Sequence, residues 1–241
     1  MRAVLLAAGL GNRLQHHTES VPKPLVSVAG RPLIAYTLDA LVGAGVSEVV
    51  VVTGHRAAML RQTLDELSPL PIVYRHNERY HEGASLSLAA ARDACGDAPF
   101  LLVMSDHLFD PELLTKLAAH DPGDGVAVGA DAAPRAPEYV DEATRLLVRN
   151  GRVRAIGKEL PDWNALDTGA FHCGPAVWDA LRSAPPEGCT LSDVFTVLAA
   201  AGQLHAADVS GAFWYDVDTP EDRATAEALL LGDQSAAPAN A

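Results

Sequence analysis

Residues 4–25, VLLAAGLGNRLQHHTESVPKPL, decide how the rest of the chain is read. The opening run is apolar without alternation, as in a strand buried on both faces of a parallel sheet. It leads into Gly9 and Gly11 and ends with Lys23 between Pro22 and Pro24. Glycines tolerate positive φ and leave no side chain in the way, so successive backbone N–H groups can turn toward an anion. Arg13 can add a bidentate contact to phosphate oxygens, and Lys23 supplies a point charge fixed near the loop by its prolines. A lone Gly-x-Gly reads as a turn, but the arginine and the PKPL element at this spacing favour an anion site. The loop lacks the Gly-Lys-Ser/Thr of a Walker A motif and is not a full dinucleotide fingerprint.

Outward from this stretch, apolar runs alternate with helical patterns. RPLIAYTLDALVGAG reads as an amphipathic helix starting at Pro32 and stopped by Gly43 or Gly45. EVVVVTG is a β-branched strand, AAMLRQTLDEL a helix, PIVYRHN a short strand, ASLSLAAARDAC a helix and FLLVMSD another buried strand. This predicts an α/β fold: a Rossmann-like, mostly parallel mixed sheet with helices on both faces, ligands sitting beyond the carboxyl ends of the strands. The second half changes character. ATRLLVRNGRVRAIG carries Asn150-Gly151 between alternating residues, a hairpin signal that predicts an inserted β-hairpin lobe. TGAFHC is a further strand. Residues 175–183 and 191–201 read as helices, the second capped by Thr190 with Asp193 at the third helical position. FWYDVDTPEDRATAEALL is a strand entering a helix, with Thr219 as N-cap and Pro220 at the first helical position. No repeat or long linker divides the chain, so the pattern predicts one domain over residues 1–231 and a disordered tail over 232–241.

Composition limits the function classes. At 241 residues, with 49% hydrophobic residues, the chain can bury a substantial core. A net charge of -13 argues against nucleic-acid binding, which needs basic surface. No apolar run approaches the roughly 20 residues of a membrane helix, and AVLLAAGL is too short for a signal peptide. Cys95, Cys173 and Cys189 are odd in number and widely spaced, which suits buried thiols in a reducing cytoplasm better than disulfides or a zinc site. No isolated apolar helix demands a partner; a homodimer is compatible with the pattern.

Other chemistry-bearing residues lie at strand ends. Asp106, in LLVMSDHLFD, sits where a carboxylate can reach a metal in the cleft. In WYDVDTPED a strand would point Asp216 and Asp218 to opposite faces, and Asp222 suits a helix N-terminus. Gly83, Ala84 and Ser85 open a helix; small residues there let a planar base approach, and Ser85 can bond the base or serve as N-cap. His16 and His17 lie near the loop but read equally as exposed residues. His55, His76, His81 and His107 show no ligand spacing. Trp163, Trp178 and Trp214 are too scattered for an aromatic cage around a quaternary ammonium.

LLAAGLGNRL…PKPLV resembles the signature of the nucleotidyltransferases that activate sugar or alcohol phosphates with an NTP, with Asn12 where those enzymes usually carry Thr and Ser105 where they carry Gly. The resemblance implies the nucleotide-diphospho-sugar transferase fold. It implies that the loop backbone at Leu6, Ala7, Ala8, Gly9, Gly11 and Asn12 holds the triphosphate, with Gly83, Ala84 and Ser85 at the base. It further implies that Lys23 and Arg13 stabilise charge at the α-phosphate and that Asp218 joins Asp106 on the metal. Two hard carboxylates plus triphosphate oxygens suit Mg²⁺, which keeps few protein ligands.

VDEATRLLVRNGRVRAIGKELPDWNALDTGAF, with MSDHLFD and DVDTPED, is similar to the CTP:inositol-1-phosphate cytidylyltransferases through about residue 231. The phosphocholine and aminoethylphosphonate cytidylyltransferases come next. The closer resemblance implies CTP and a small phosphorylated alcohol as substrates, with Lys158 at the acceptor phosphate, Asp167 at its hydroxyls or amine, and Glu142 as a weaker contact. Other readings are a UTP-dependent sugar-1-phosphate enzyme and a non-catalytic nucleotide-binding regulator. The intact Lys23, Asp106 and Asp218 set disfavours the regulator by analogy of fold.

Overall fold

The computed structural model describes the whole chain except residues 12, 15–17, 19, 135–142, 186–188 and 236–241, with backbone alone for 232–235. In chain order the strands are β1 (Arg2–Ala7), β2 (Ser27–Val28), β3 (Arg31–Pro32), β4 (Glu48–Thr53), β5 (Ile72–His76), β6 (Phe100–Met104) and β7 (His107–Phe109). They continue as β8 (Val126–Asp131), β9 (Arg145–Arg149), β10 (Arg152–Gly157), β11 (Ala165–Cys173), β12 (Leu204–Asp208) and β13 (Trp214–Asp216). The helices are α1 (Leu33–Gly43), α2 (Ala57–Leu67), α3 (Ala84–Ala90), α4 (Arg92–Cys95), α5 (Pro111–Ala119), α6 (Ala176–Ser183), α7 (Leu191–Ala200) and α8 (Pro220–Ser235).

The main sheet runs β5-β4-β1-β6-β11-β8-β12-β10-β9. Strands β5, β4, β1 and β6 are parallel, whereas β11 runs antiparallel to both β6 and β8. The chain leaves β1 toward β4 and β5 on one side, then returns to β6 on the other. The crevice at such a switch point, beyond the carboxyl ends of the strands, is where doubly wound sheets bind ligands.

Side-chain alternation explains the layers. Val4, Leu6, Val50, Val52 and Leu102 face one core with Val177, Phe195 and Leu198 from α6 and α7. Ala3, Leu5, Val49, Val51 and Leu101 face the other with Leu38, Leu60 and Leu113 from α1, α2 and α5. Successive strand residues thus serve opposite faces, which is why β1 and β4 show no polar alternation.

The hairpin turns at Asn150 (φ 52°) and Gly151 (φ 70°), the backbone required by a type I′ turn. It is inserted between β8 and β11 and joins the same sheet: β10 meets β12, and β9 also pairs with Ala165 and Leu166 of β11. Thr190 and Asp193 form the capping box of α7. At α8, Thr219 Oγ1 accepts from the Asp222 backbone, and Asp222 accepts in return from the Thr219 backbone and hydroxyl.

Three details depart from expectation. The helix expected over residues 84–95 breaks at Ala91 into α3 and α4. The last helix continues through Ser235, past residue 231; residues 236–241 of the expected tail lie outside the described residues. β7 and β13, a short antiparallel pair, are packed on α1 and α8 by Val28, Leu33, Leu108, Tyr215 and Val217. The three cysteines are free and buried. No helix among the described residues is long and apolar enough to cross a membrane.

Candidate active site

The loop after β1 returns to the sheet at a single helical turn, Lys23–Leu25, which follows Pro22 and has Pro24 within it. Gly11 (φ 69°) lies so close that a Cβ there would stand 2.6 Å from the Lys23 Cβ. The glycine lets the loop close onto the lysine and bury it to 8% exposure. Lys23 Nζ is thereby aimed across the end of β6. It donates to Asp106 Oδ2 at 2.7 Å and to Asp218 Oδ1. Arg13, at the exposed rim of the loop, pairs with the other oxygen of Asp218. The four residues singled out for phosphate and metal therefore meet at one point, although they come from three distant parts of the chain.

Asp106 is brought there by the end of β6, where the Ser105 amide donates to Leu6 O at 3.2 Å. Asp218 follows β13, which ends at Asp216; Val217 N bonds Asp106 O at 3.0 Å. Strand alternation therefore stops short of Asp218, and Asp216 and Asp218 line the same cavity rather than opposite faces. This corrects the expectation drawn from the WYDVD run.

His107 was missed by spacing. It pairs in register with Asp216 across β7 and β13, and its Nδ1 lies 2.9 Å from Asp106 Oδ1 and 3.6 Å from Asp216 Oδ1. The electrostatics follow from this crowding. Burial alone would lower Lys23, yet the Asp106, Asp216 and Asp218 charges hold it above its ordinary value. Burial alone would raise Asp106, but Lys23 and His107 bring it well below the usual carboxylate range. His107, whose burial opposes protonation, is lifted to about 9 by Asp216 and Asp106. Asp216 is pushed up to about 7, first by burial and then by the neighbouring carboxylates, against the pull of His107 and Lys23.

One buried oxygen of this cluster, Asp216 Oδ1, accepts no hydrogen bond among the described residues. The carboxylates of Asp106 and Asp216 each have an oxygen within 4.8 Å of the other, beside the His107 imidazole. Hard carboxylate oxygens gathered around a cation, one without a hydrogen-bond donor, fit a hard divalent ion.

A cavity of about 280 Å³ opens beside the cluster, lined by His107, Lys158, Asp167, Asp216 and Asp218 and walled by Phe171 and Phe195. Lys158 follows β10 at the exposed rim. Asp167, within β11, accepts from the Gly169 amide at 2.8 Å, and burial pushes it up to about 6 against that bond and the His107 charge. Leu6, Ala7 and Ala8 are buried at the end of β1, while Gly9 is exposed beyond it. Gly83, not Ser85, is the N-cap of α3. Ser85 is buried and its hydroxyl donates to Cys189 O at 2.8 Å, so it ties α3 to the segment before α7. Asn12, His16, His17 and Glu142 lie outside the described residues.

A family model described as a MobA-like NTP transferase domain matches residues 3–160. A bifunctional IPC transferase and DIPP synthase of Rubrobacter xylanophilus is 37% identical over 235 residues, 95% of this chain and 52% of that protein. A CMP-5'-(3-aminopropyl)phosphonate synthase of Streptomyces rubellomurinus is 34% identical over 241 residues, 94% of this chain and 38% of that protein. The chain thus spans about half the length of the first relative and less of the second. The structure of the inositol-1-phosphate CTP transferase from T. maritima matches with a TM-score of 0.86 over 98% of this chain and 97% of that one, at 24% identity, which is a likeness of fold. The match over residues 3–160 takes in both the loop and the end of β6 on which the site is built, and the similarity to the Rubrobacter protein extends over nearly all the rest; the chain belongs to the MobA-like NTP transferase family.

Proposed function

We propose that this chain transfers CMP from CTP to inositol 1-phosphate, releasing pyrophosphate and forming CDP-inositol. The observation that carries the reading is the cavity bearing Lys158 and Asp167, whose lining also includes Asp218, the partner of Lys23, and His107, the partner of Asp106. The name of the Streptomyces relative supports cytidine as the base and a phosphonate as one acceptor class, and the likeness to the inositol-1-phosphate CTP transferase supports CTP with inositol 1-phosphate.

An acceptor phosphate oxygen attacks the α-phosphorus in line, and the bond from that phosphorus to the bridging oxygen of the leaving pyrophosphate breaks. The attacking oxygen is already ionised at neutral pH, so no proton moves and no general base is required. The obstacle is bringing two anions together. The loop amides from Leu6 to Asn12 bind the triphosphate, and Arg13 and Lys23 neutralise charge at the α-phosphate as it reacts. Asp106 and Asp218 would hold Mg²⁺, which supplies Lewis-acid stabilisation of phosphoryl oxygens. Lys158 at the rim binds the acceptor phosphate and Asp167 accepts from its hydroxyls, orienting the nucleophile.

The second reading has an amine-bearing phosphonate as acceptor. Asp167, Asp216 and Asp218 in one cavity favour it, because carboxylates also bind an ammonium group. Pyrophosphate release should be measured with four NTPs, each against inositol 1-phosphate, phosphocholine, aminoethylphosphonate and hexose 1-phosphates. The highest kcat/KM is expected for CTP with inositol 1-phosphate. A preference for UTP with a hexose 1-phosphate, or release with no pair, refutes cytidylyl transfer.

A further inference from the structure

The proposed reaction leaves His107 unused, although its contacts hold it on several sides. Its backbone is held on two sides: the carbonyl accepts from Thr37 Oγ1 at 2.9 Å, and the residue pairs with Asp216 across β7 and β13. Its ring is held as well. It lies nearly parallel to Phe109, with centroids 5.7 Å apart and planes 20° apart. On another side stands Gly169 (φ 74°), where a Cβ would lie 2.5 Å from Nε2 and 2.7 Å from Cδ2. Any other residue would displace the imidazole.

Nδ1 of this fixed ring lies 2.9 Å from Asp106 Oδ1, with Asp216 Oδ1 as its next carboxylate neighbour at 3.6 Å. Carboxylate oxygens only accept, so Nδ1 carries the hydrogen and donates it. The two oxygens of Asp106 are therefore divided: Oδ1 receives His107, and Oδ2 faces Lys23 at 2.7 Å. We infer that His107 is a positioning residue, acting through Nδ1 to stop the Asp106 carboxylate from rotating and to keep Oδ2 directed at the cation site. Outer partners of ligating groups typically contribute about 10- to 100-fold in metal affinity or activity. The inference rests on the reading of Asp106 as a metal-holding carboxylate.

The asparagine amide nitrogen lies where histidine has Nδ1, and the glutamine amide nitrogen where it has Nε2. His107→Ala, His107→Asn and His107→Gln should be compared in two assays: Mn²⁺ titration followed by electron paramagnetic resonance without nucleotide, and steady-state kinetics with CTP and inositol 1-phosphate. Ala and Gln are expected to lose about 10- to 100-fold in both Mn²⁺ affinity and kcat with the acceptor KM little changed, and Asn to recover most of each. Recovery by Gln instead of Asn would place the role at Nε2 and overturn the inference. So would equal losses in all three folded variants, or unaltered Mn²⁺ binding in Ala. Absence of turnover by the unaltered chain would defeat the proposed reaction alone, because the Mn²⁺ titration still decides the part His107 plays.

Discussion

Lys23 shows how strongly one side chain can be committed by its surroundings. A buried ammonium group is costly unless paired, and here it is matched by Asp106 and Asp218, with Asp216 close by. Asp167 is the opposite case, a carboxylate that burial makes harder to ionise. Its folded-state value of about 6 lies above the ordinary 3.8. Ionised Asp167 therefore subtracts from stability; the penalty is absent below the unfolded value and full above the folded one. Asp167→Asn is accordingly predicted to raise stability at pH 7.5 by about 1–3 kcal/mol, with the gain vanishing below about pH 4. Urea unfolding of both proteins across that range checks this, and a variant less stable at pH 7.5 contradicts it. A carboxylate kept at a net cost to the fold is the pattern expected of a group retained for function.

The elements differ in how plainly the chain announces them. β1 and β4 are runs of Val, Leu and Ala buried on both faces, and α2 and the hairpin carry their own periodicity or turn signal, so each was legible locally. Asn150 takes left-handed backbone that alanine adopts only at a cost of about 1–2 kcal/mol. Asn150→Ala should therefore lower Tm by roughly 2–8 °C, about 2–4 °C for each kcal/mol in a chain of this size, with turnover unchanged. A scanning-calorimetry midpoint equal to that of the unaltered chain would show that the turn contributes nothing. β8, by contrast, reads VAVGAD, with small residues of weak strand preference, and is a strand because β11 and β12 flank it. β7 is three residues long and exists only through its pairing with β13. No local pattern reports such a long-range register, and for that reason the sequence placed neither His107 nor Asp216 beside Asp106. Arg13 and Lys23 stood out as candidates through the loop motif and Asp106 through its place at the end of β6, whereas Asp218, past the end of β13, was suggested by the family resemblance alone.

At the scale of the molecule, the parallel half and the antiparallel half supply different parts of one site. β1 and β6 present the loop, Lys23 and Asp106, whereas β11, the hairpin and β13 present Asp167, Lys158 and Asp218. In the proposed reaction the junction is where an acceptor anion approaches a nucleotide anion, and the chain, net -13 overall, places Arg13, Lys23 and Lys158 around it. The proposed transfer depends on those positioned charges. Pyrophosphate release from CTP and inositol 1-phosphate at saturating Mg²⁺ should be compared among the unaltered chain, Lys23→Ala and Asp106→Asn, with folding verified by circular dichroism. Removing one such charge should cost about 2.7–4 kcal/mol of barrier, a loss of roughly 100- to 1000-fold in kcat for each variant. A folded Lys23→Ala or Asp106→Asn protein that turns over within about tenfold of the unaltered chain would contradict the account.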